Sequence, residues 1–521
     1  MPNHKVPKHL VSNRTIDKMS PLTLDRLPNE ILTSIFNDFR VHYHPEPDSD
    51  APSAYFRGTR QRPDEPSWYS LDCQALYSLC LTSRRLRDVA RPLLYRDFMP
   101  GYGDSWRSKS YKWEGRLASF LRTVSTRRDL AVFVKRIYIH SFLVKRLDEV
   151  TVQSALEQAA QGFSIPLSKY LAHFPSIGIR RPGHDQQQIL FAPLLGMLLA
   201  ALPNANRLSL QVSARSVPIP ASALKEIGVP KLRLKTIDIS AYSHPDAEAS
   251  YMFSIDDDTC GILKLATDVE TLNLHMCGSL RNPLGLEIRT LRITCSRLDE
   301  PSIRNLLSSC VGLEAFMYEA GPPDIIKYSC LMGTPLNEND EHFEPHRIIE
   351  YLHSHYGTLK SLHLDFRIYN LISFNRIRPV RPIASLKNLT RLNHLFLNPN
   401  MIYSNQETKR HQLIEILPPA ITKLQIIGIF SVFLLDAARD LQALADAVLR
   451  GEFSQLQKLT YNTFEQLDDH AISESFARAG VEFGHEECPP TGPTILPTDV
   501  SPPSSPGSFM LYPLPDSDDD L

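Results

Sequence analysis

The chain has 521 residues, 42% of them hydrophobic and 22% charged, with a formal net charge of −2. That length exceeds one ordinary core and implies two or three domains, and so balanced a charge exerts no general pull on nucleic acid or an acidic membrane. The longest apolar runs, Phe191–Leu202 and Ile426–Leu435, fall well short of the ~20 residues that cross a bilayer.

Residues 1–20 are polar, lack the apolar run of a signal peptide, and are expected to form a mobile tail. The pattern changes at Leu27. Pro28 suits the first turn of a helix, which does not need its missing N–H. Leu27, Ile31, Ile35 and Phe39 then recur every four residues, with Leu32 and Phe36 beside them. This is one apolar stripe on about three helical turns. So short a helix must dock on something. Residues 41–70 carry five prolines and no helical period, and are expected to loop out. Beyond them Leu76, Leu79 and Cys80 share a helical face. Ser83 stands where an N-cap would start another helix, and Leu86, Val89, Ala90 and Leu93 form its apolar side.

Leu27-Pro28, Glu30-Ile31-Leu32 and Ile35-Phe36 resemble the opening of an F-box, the module that binds the Skp adaptor of cullin–RING ubiquitin ligases. Ala75–Tyr95 resembles its second and third helices, and Leu94-Tyr95 its leucine–aromatic ending in fungal F-box proteins. Two departures stand out: Leu86 replaces a frequent tryptophan, and residues 41–70 split the halves. Loop closure entropy grows only slowly with length, so such an insertion is tolerable. The resemblance implies an F-box over residues 21–98. It also implies adaptor contacts from Leu27, Pro28, Ile31, Leu32, Ile35, Phe36, Leu76, Leu79 and Cys80.

Pro100-Gly101-Tyr102-Gly103-Asp104 breaks structure and opens a linker, and Leu117, Phe120, Leu121 and Val124 mark a helix within 99–129. A strand pattern, apolar-x-x-apolar-x-apolar, then recurs. Its fourth positions fall at Ile137, Leu208, Ile237, Leu272, Leu291, Phe316, Leu362, Leu395, Leu424 and Leu459. Chance alone gives on the order of 40 such matches in a chain this apolar, so context decides. Helical faces precede several copies: Ile303, Leu306, Leu307 and Cys310; Ile348, Ile349, Leu352 and Tyr356; Ala437, Leu441, Leu444 and Val448, with Gly451 as a C-cap. Each strand–helix unit cannot bury its apolar side alone, so neighbours must stack.

Residues 130–487 thus resemble the irregular leucine-rich repeat solenoid found behind many F-boxes. The expected fold is α/β: a small helical F-box, the solenoid, and a disordered tail. In the tail, 488–521, nine of 34 residues are proline. Side chains alternate along a strand, so the fifth positions should face outward. They are Tyr138, Ser209, Asp238, Asn273, Arg292, Met317, His363, Phe396, Gln425 and Thr460, with His275, Glu319, Asp365 and Asn398 among the seventh. Met317, His363 and Phe396 lie on three successive copies. Exposed Met and Phe are unusual without a partner, so these three are the expected target-binding residues.

No catalytic motif is present: there is no H-E-x-x-H, no G-x-S-x-G and no phosphate-cradling glycine loop. None of the eight cysteines forms a C-x-x-C pair, and they read as the reduced thiols of a cytoplasmic or nuclear protein. His275 and Cys277 share a predicted strand face but lack two further ligands. His485, Glu486, Glu487 and Cys488 sit at the edge of the tail, and Asp256-Asp257-Asp258 lacks the calcium-loop pattern. No metal or cofactor is therefore expected. Arg84, Arg85, Arg87 and Arg91 read as a solvated helix face, and Ser501-Pro502 and Ser505-Pro506 as candidate phosphorylation sites. The resemblance implies a non-catalytic substrate receptor that joins a Skp adaptor, and through it a cullin, to a target protein. The rival expectation is a repeat scaffold whose N-terminal helices cap one end.

Overall fold

A computed structural model describes residues 24–37, 39, 68–100, 112–145, 147–174, 186–212, 220–241, 252–255, 260–280, 285–321, 345–366, 382–403, 412–429, 431–463 and 469–486. The expected tails 1–20 and 488–521 and most of the 41–70 insertion lie outside the described residues.

The fold is α/β and is built on one parallel sheet of twelve strands. These are β1 (Asp97–Phe98), β2 (Arg136–Ile139), β3 (Arg207–Val212), β4 (Thr236–Ala241), β6 (Thr271–His275), β8 (Thr290–Ser296), β9 (Ala315–Ala320), β10 (Ser361–Asp365), β11 (His394–Leu397), β12 (Lys423–Ile429), β13 (Lys458–Thr463) and β14 (Glu482–His485). A separate pair, β5 (Phe253–Ile255) and β7 (Cys277–Leu280), sits beside them. Within the large sheet every strand pairs with its predecessor and its successor along the chain.

Register follows from the apolar pattern. The ten fourth positions read from the sequence form one continuous row, each directly opposite the next, from Ile137 through Leu208 to Leu459. Phe98 and Phe483 extend the row at its two ends. A one-residue slip would turn these side chains away from the core, so the register is strongly specified. The backbone reinforces it. Arg96 O accepts from Lys135 N and Arg136 N, Lys135 O from Asn206 N and Arg207 N, and Asn206 O from Lys235 N and Thr236 N. The same two-to-one bond recurs strand after strand to Thr422, whose carbonyl accepts from Gln457 N and Lys458 N.

Helices in the connections cover one face. Leu306 and Leu307 of the helix Glu300–Ser309, and Leu441 and Leu444 of the helix Ser431–Leu449, join the strand residues in a single core running from Trp113 to Val481. Asp299 caps the first of these helices by accepting from Ser302 N at 2.9 Å, and Gly451 follows the second in the left-handed conformation, φ 86°. Among the described residues no helix is long and apolar enough to cross a membrane.

Three N-terminal helices, α1 (Asn29–Asn37), α2 (Trp68–Thr82) and α3 (Arg84–Leu94), close a small core of their own from Leu32, Phe36, Leu76, Leu86 and Ala90. Ser83 caps α3 by accepting from Leu86 N at 3.1 Å.

Three boundaries differ from the sequence expectation. The insertion ends earlier than residue 70, because Trp68 already starts α2. Tyr69 is buried, and its hydroxyl donates to Asp97 O at 2.9 Å. The sheet begins at Asp97 rather than near residue 130. Phe98 stacks on Phe120 at 3.7 Å, which draws the helix Arg116–Thr126 into the core instead of leaving it in a linker. Finally, His275 and Cys277 do not share a strand. Met276 adopts φ 62°, and this kink ends β6 and starts β7.

Adjacent units are also joined on the helix side. Glu300 Oε1 accepts from Tyr351 Oη at 2.6 Å, Arg347 Nη1 at 2.6 Å and Arg304 Nη2 at 2.7 Å. The Tyr351 hydroxyl bond, followed by the Arg347 guanidinium, holds the Glu300 carboxyl below its usual range. A depressed folded-state pKa gives stability present above the unfolded value, ~4.3 for Glu, and lost as pH falls through the lower folded value. Glu300→Gln should therefore cost about 1 kcal/mol at neutral pH. In urea unfolding at stepped pH, the gap to wild type should close below ~4.3. A gap that stays constant down to pH 3 would show that the carboxylate does not act as a charge.

Candidate functional site

The sheet face opposite the helices carries the fifth and seventh positions, in register across the strands. Met317 stands opposite Arg292 on one side and His363 on the other, and His363 opposite Phe396. The three expected target-binding residues are thus brought together, but they are not exposed: Met317, His363 and Phe396 are 4%, 8% and 7% accessible. The cause is strand spacing. At about 4.8 Å between strands, large side chains in one row cover each other. The His363 and Phe396 rings stack at 3.5 Å and 11°, which fixes the imidazole.

Several polar members of this face bond to one another inside the protein. Asp238, fully buried, accepts from Arg207 Nε at 3.0 Å, Ser209 Oγ at 2.5 Å and Asn273 Nδ2 at 2.5 Å. Asn398 accepts from Phe366 N at 2.5 Å and donates to Ile427 O at 3.0 Å, with Asp365 Oδ1 at 3.4 Å. His275 shares a 2.7 Å bond with Thr294 Oγ1.

Glu319 and Asp365 are paired seventh positions of β9 and β10, and His363 lies two residues before Asp365 on the same face. The ligand atoms of these three buried residues lie within 4.8 Å of one another. One imidazole and two carboxylates form the donor set that suits a borderline divalent cation, one ligand short of a closed tetrahedral site. The sequence shows each residue singly; only the strand register assembles them. The buried thiols of Cys277 and Cys310 are pushed up to about 12 by desolvation and do not offer a ready nucleophile.

The second surface is the helical unit. Leu32, Phe36 and Leu76 face inward and build its core, while Leu27, Leu79 and Cys80 pack half-buried against it. Pro28 is exposed at the start of α1. Arg85 clamps that start, donating to Asn29 Oδ1 at 3.1 Å and to Leu27 O at 2.5 Å. Ile31 and Ile35 point outward, 48% and 36% accessible. On α2, Leu71, Tyr77 and Leu81 are also exposed, as is Leu24 just before α1. These six are more than half of the large exposed apolar side chains among the described residues, so the unpartnered apolar surface concentrates on this unit. The apolar stripe read as one face therefore has two sides, one closing the unit and one open.

No family model matches the chain, and no curated protein matches its sequence.

The Asp238 network predicts its own failure. Asp238→Ala strands the Arg207 guanidinium, whose side chain is only 15% accessible, and should cost about 3–5 kcal/mol. Replacing both partners, Arg207→Met with Asp238→Leu, should recover most of that loss in urea unfolding. Equal loss in single and double variants would show that the pair is not the coupled element.

Proposed function

We propose that the chain is the substrate receptor of an SCF-type cullin–RING ubiquitin ligase. In this reading α1–α3 form an F-box that docks the Skp adaptor, and the strand–helix array is an irregular leucine-rich repeat solenoid that holds a target protein. The observation that carries the reading is the open side of α1 and α2. Ile31 and Ile35, one turn apart, leave apolar area in water although their neighbours Leu32 and Phe36 already close the unit's own core. A helix that has satisfied its own packing and still exposes two isoleucines fits a partner surface. The sequential parallel strands, the in-register apolar row and the absence of a catalytic motif agree with a binding array. Such a receptor needs no catalytic residue. Its contribution is proximity, because tethering raises the effective concentration of target lysines near the loaded conjugating enzyme. The reading implies a cytoplasmic or nuclear protein without a cofactor.

One observation favours the scaffold alternative. The hydrogen bond from Tyr69 to Asp97 O ties α2 to the first strand, as an end cap would.

Adaptor binding separates the two. Ile31→Ala with Ile35→Ala removes exposed groups and should leave thermal stability nearly unchanged, while recovery of the Skp adaptor on co-purification falls by at least ~10-fold. Full recovery with the folded double variant would sink the receptor reading. A large fall in melting temperature would assign the two isoleucines to internal packing and favour the cap.

A further inference from the structure

Where the chain enters strands β1 to β4, the edge of the sheet holds a cavity of about 300 Å³. Five cationic side chains line it: Arg96, Lys135, Arg136, Arg207 and Lys235. Three of them are neutralised within the protein. Arg136 makes a forked ion pair with Asp97 at 2.5 and 2.6 Å. Arg207 pairs with Asp238 at 3.0 Å and Lys235 with Glu270 at 3.0 Å. Arg96 and Lys135 have no acidic partner among the described residues.

The two unmatched cations are neighbours by construction. Lys135 N and Arg136 N both bond to Arg96 O, so the backbones of residues 96 and 135 stand one strand spacing apart. Like charges directly opposite each other are unfavourable in a sheet. Further along the same edge the corresponding positions carry opposite charges: Lys235 faces Glu270 at 3.0 Å, and Glu314 faces Lys360 at 2.8 Å. Arg96 Nε is moreover buried without a hydrogen-bond partner. A guanidinium donor removed from water and left unbonded is costly, and an acceptor arriving in the cavity would satisfy it.

We propose that this cavity is an anion site for a phosphate-class group, with Arg96 and Lys135 as its principal ligands. The charge balance sets the class. Five cations against three carboxylates leave two positive charges, the complement of a dianion. A guanidinium presents paired N–H donors to tetrahedral oxygens, and a lysine beside it adds a mobile point charge. The exposed Asn206 amide at the same edge supplies a neutral donor. The cavity is at the small end for ligand sites, enough for a phosphate and its point of attachment rather than for a nucleotide. The group could be free phosphate or a phosphorylated side chain of a bound protein. Both present the same chemistry to the site.

The test uses the full-length protein and two probes, inorganic phosphate and N-acetyl-phosphoserine amide, with sodium chloride matched for ionic strength. Each probe should raise the wild-type melting temperature above the chloride control. Arg96→Gln with Lys135→Gln should weaken apparent affinity at least 10-fold while leaving the melting temperature in chloride equal or higher, since a like-charge contact is removed. Lys135→Arg should retain binding, and Lys135→Gln alone gives the comparison if the double variant fails to fold. Preference for the phosphoserine probe assigns the site to a modified partner; equal response assigns it to free phosphate. No stabilisation of wild type over chloride, or the same stabilisation in the charge-removed variants, overturns the proposal.

Discussion

The structure depends on one repeated bond. At each strand entry, a single carbonyl accepts two N–H groups from the next strand, from Arg96 through Lys135, Asn206 and Lys235 to Thr422. This satisfies backbone that would otherwise be buried without partners, and it fixes where every following strand starts. Once the start is fixed, alternation does the rest. Fourth and sixth positions go to the helix side, fifth and seventh to the other. Sites on this protein are therefore rows across strands, and a residue's chemistry depends on which rows its neighbours occupy.

The apolar pattern is legible wherever a strand is covered on both flanks. All ten central strands fit apolar-x-x-apolar-x-apolar, and all ten stand in register. The two end strands escape the pattern for a physical reason. Around Phe98, the first and sixth positions are Tyr95 and Pro100; around Phe483, they are Gly480 and His485. An end strand has a neighbour on one side only, so it is not required to be apolar throughout. In α1 the limit is different. Leu27, Ile31, Leu32, Ile35 and Phe36 cover about half of the helix circumference, wider than one contact face, and periodicity cannot say which edge of that stripe closes the core. The partner decides, and here it is α3, which takes Leu32 and Phe36 and leaves Ile31 and Ile35.

Exposure on the sheet is the other quantity the sequence conceals. Row membership of Met317, His363 and Phe396 is readable; their burial is not, because it depends on the size of residues 25 or more positions away in the chain. Phe396 covers His363 only because the register places the two rings face to face. The same applies to Glu319, His363 and Asp365. Each looks like an ordinary polar residue of a solvated face until the strands align.

Burial changes what this face can do. Asp238, Asn273, Asn398 and Asp365 hydrogen-bond to one another, to Arg207 and to backbone. A bonded buried network is stiff, and a partner that displaced one member would leave another unbonded at a cost of about 1–3 kcal/mol. Recognition by these side chains is thus expensive unless the partner replaces the lost bonds. Groups at the edges of the array carry no such penalty. Arg96 and Lys135 at the strand entry, and Ile31 and Ile35 on α1, are poorly satisfied by the folded chain itself, so a partner gains there what it would lose at the centre of the face.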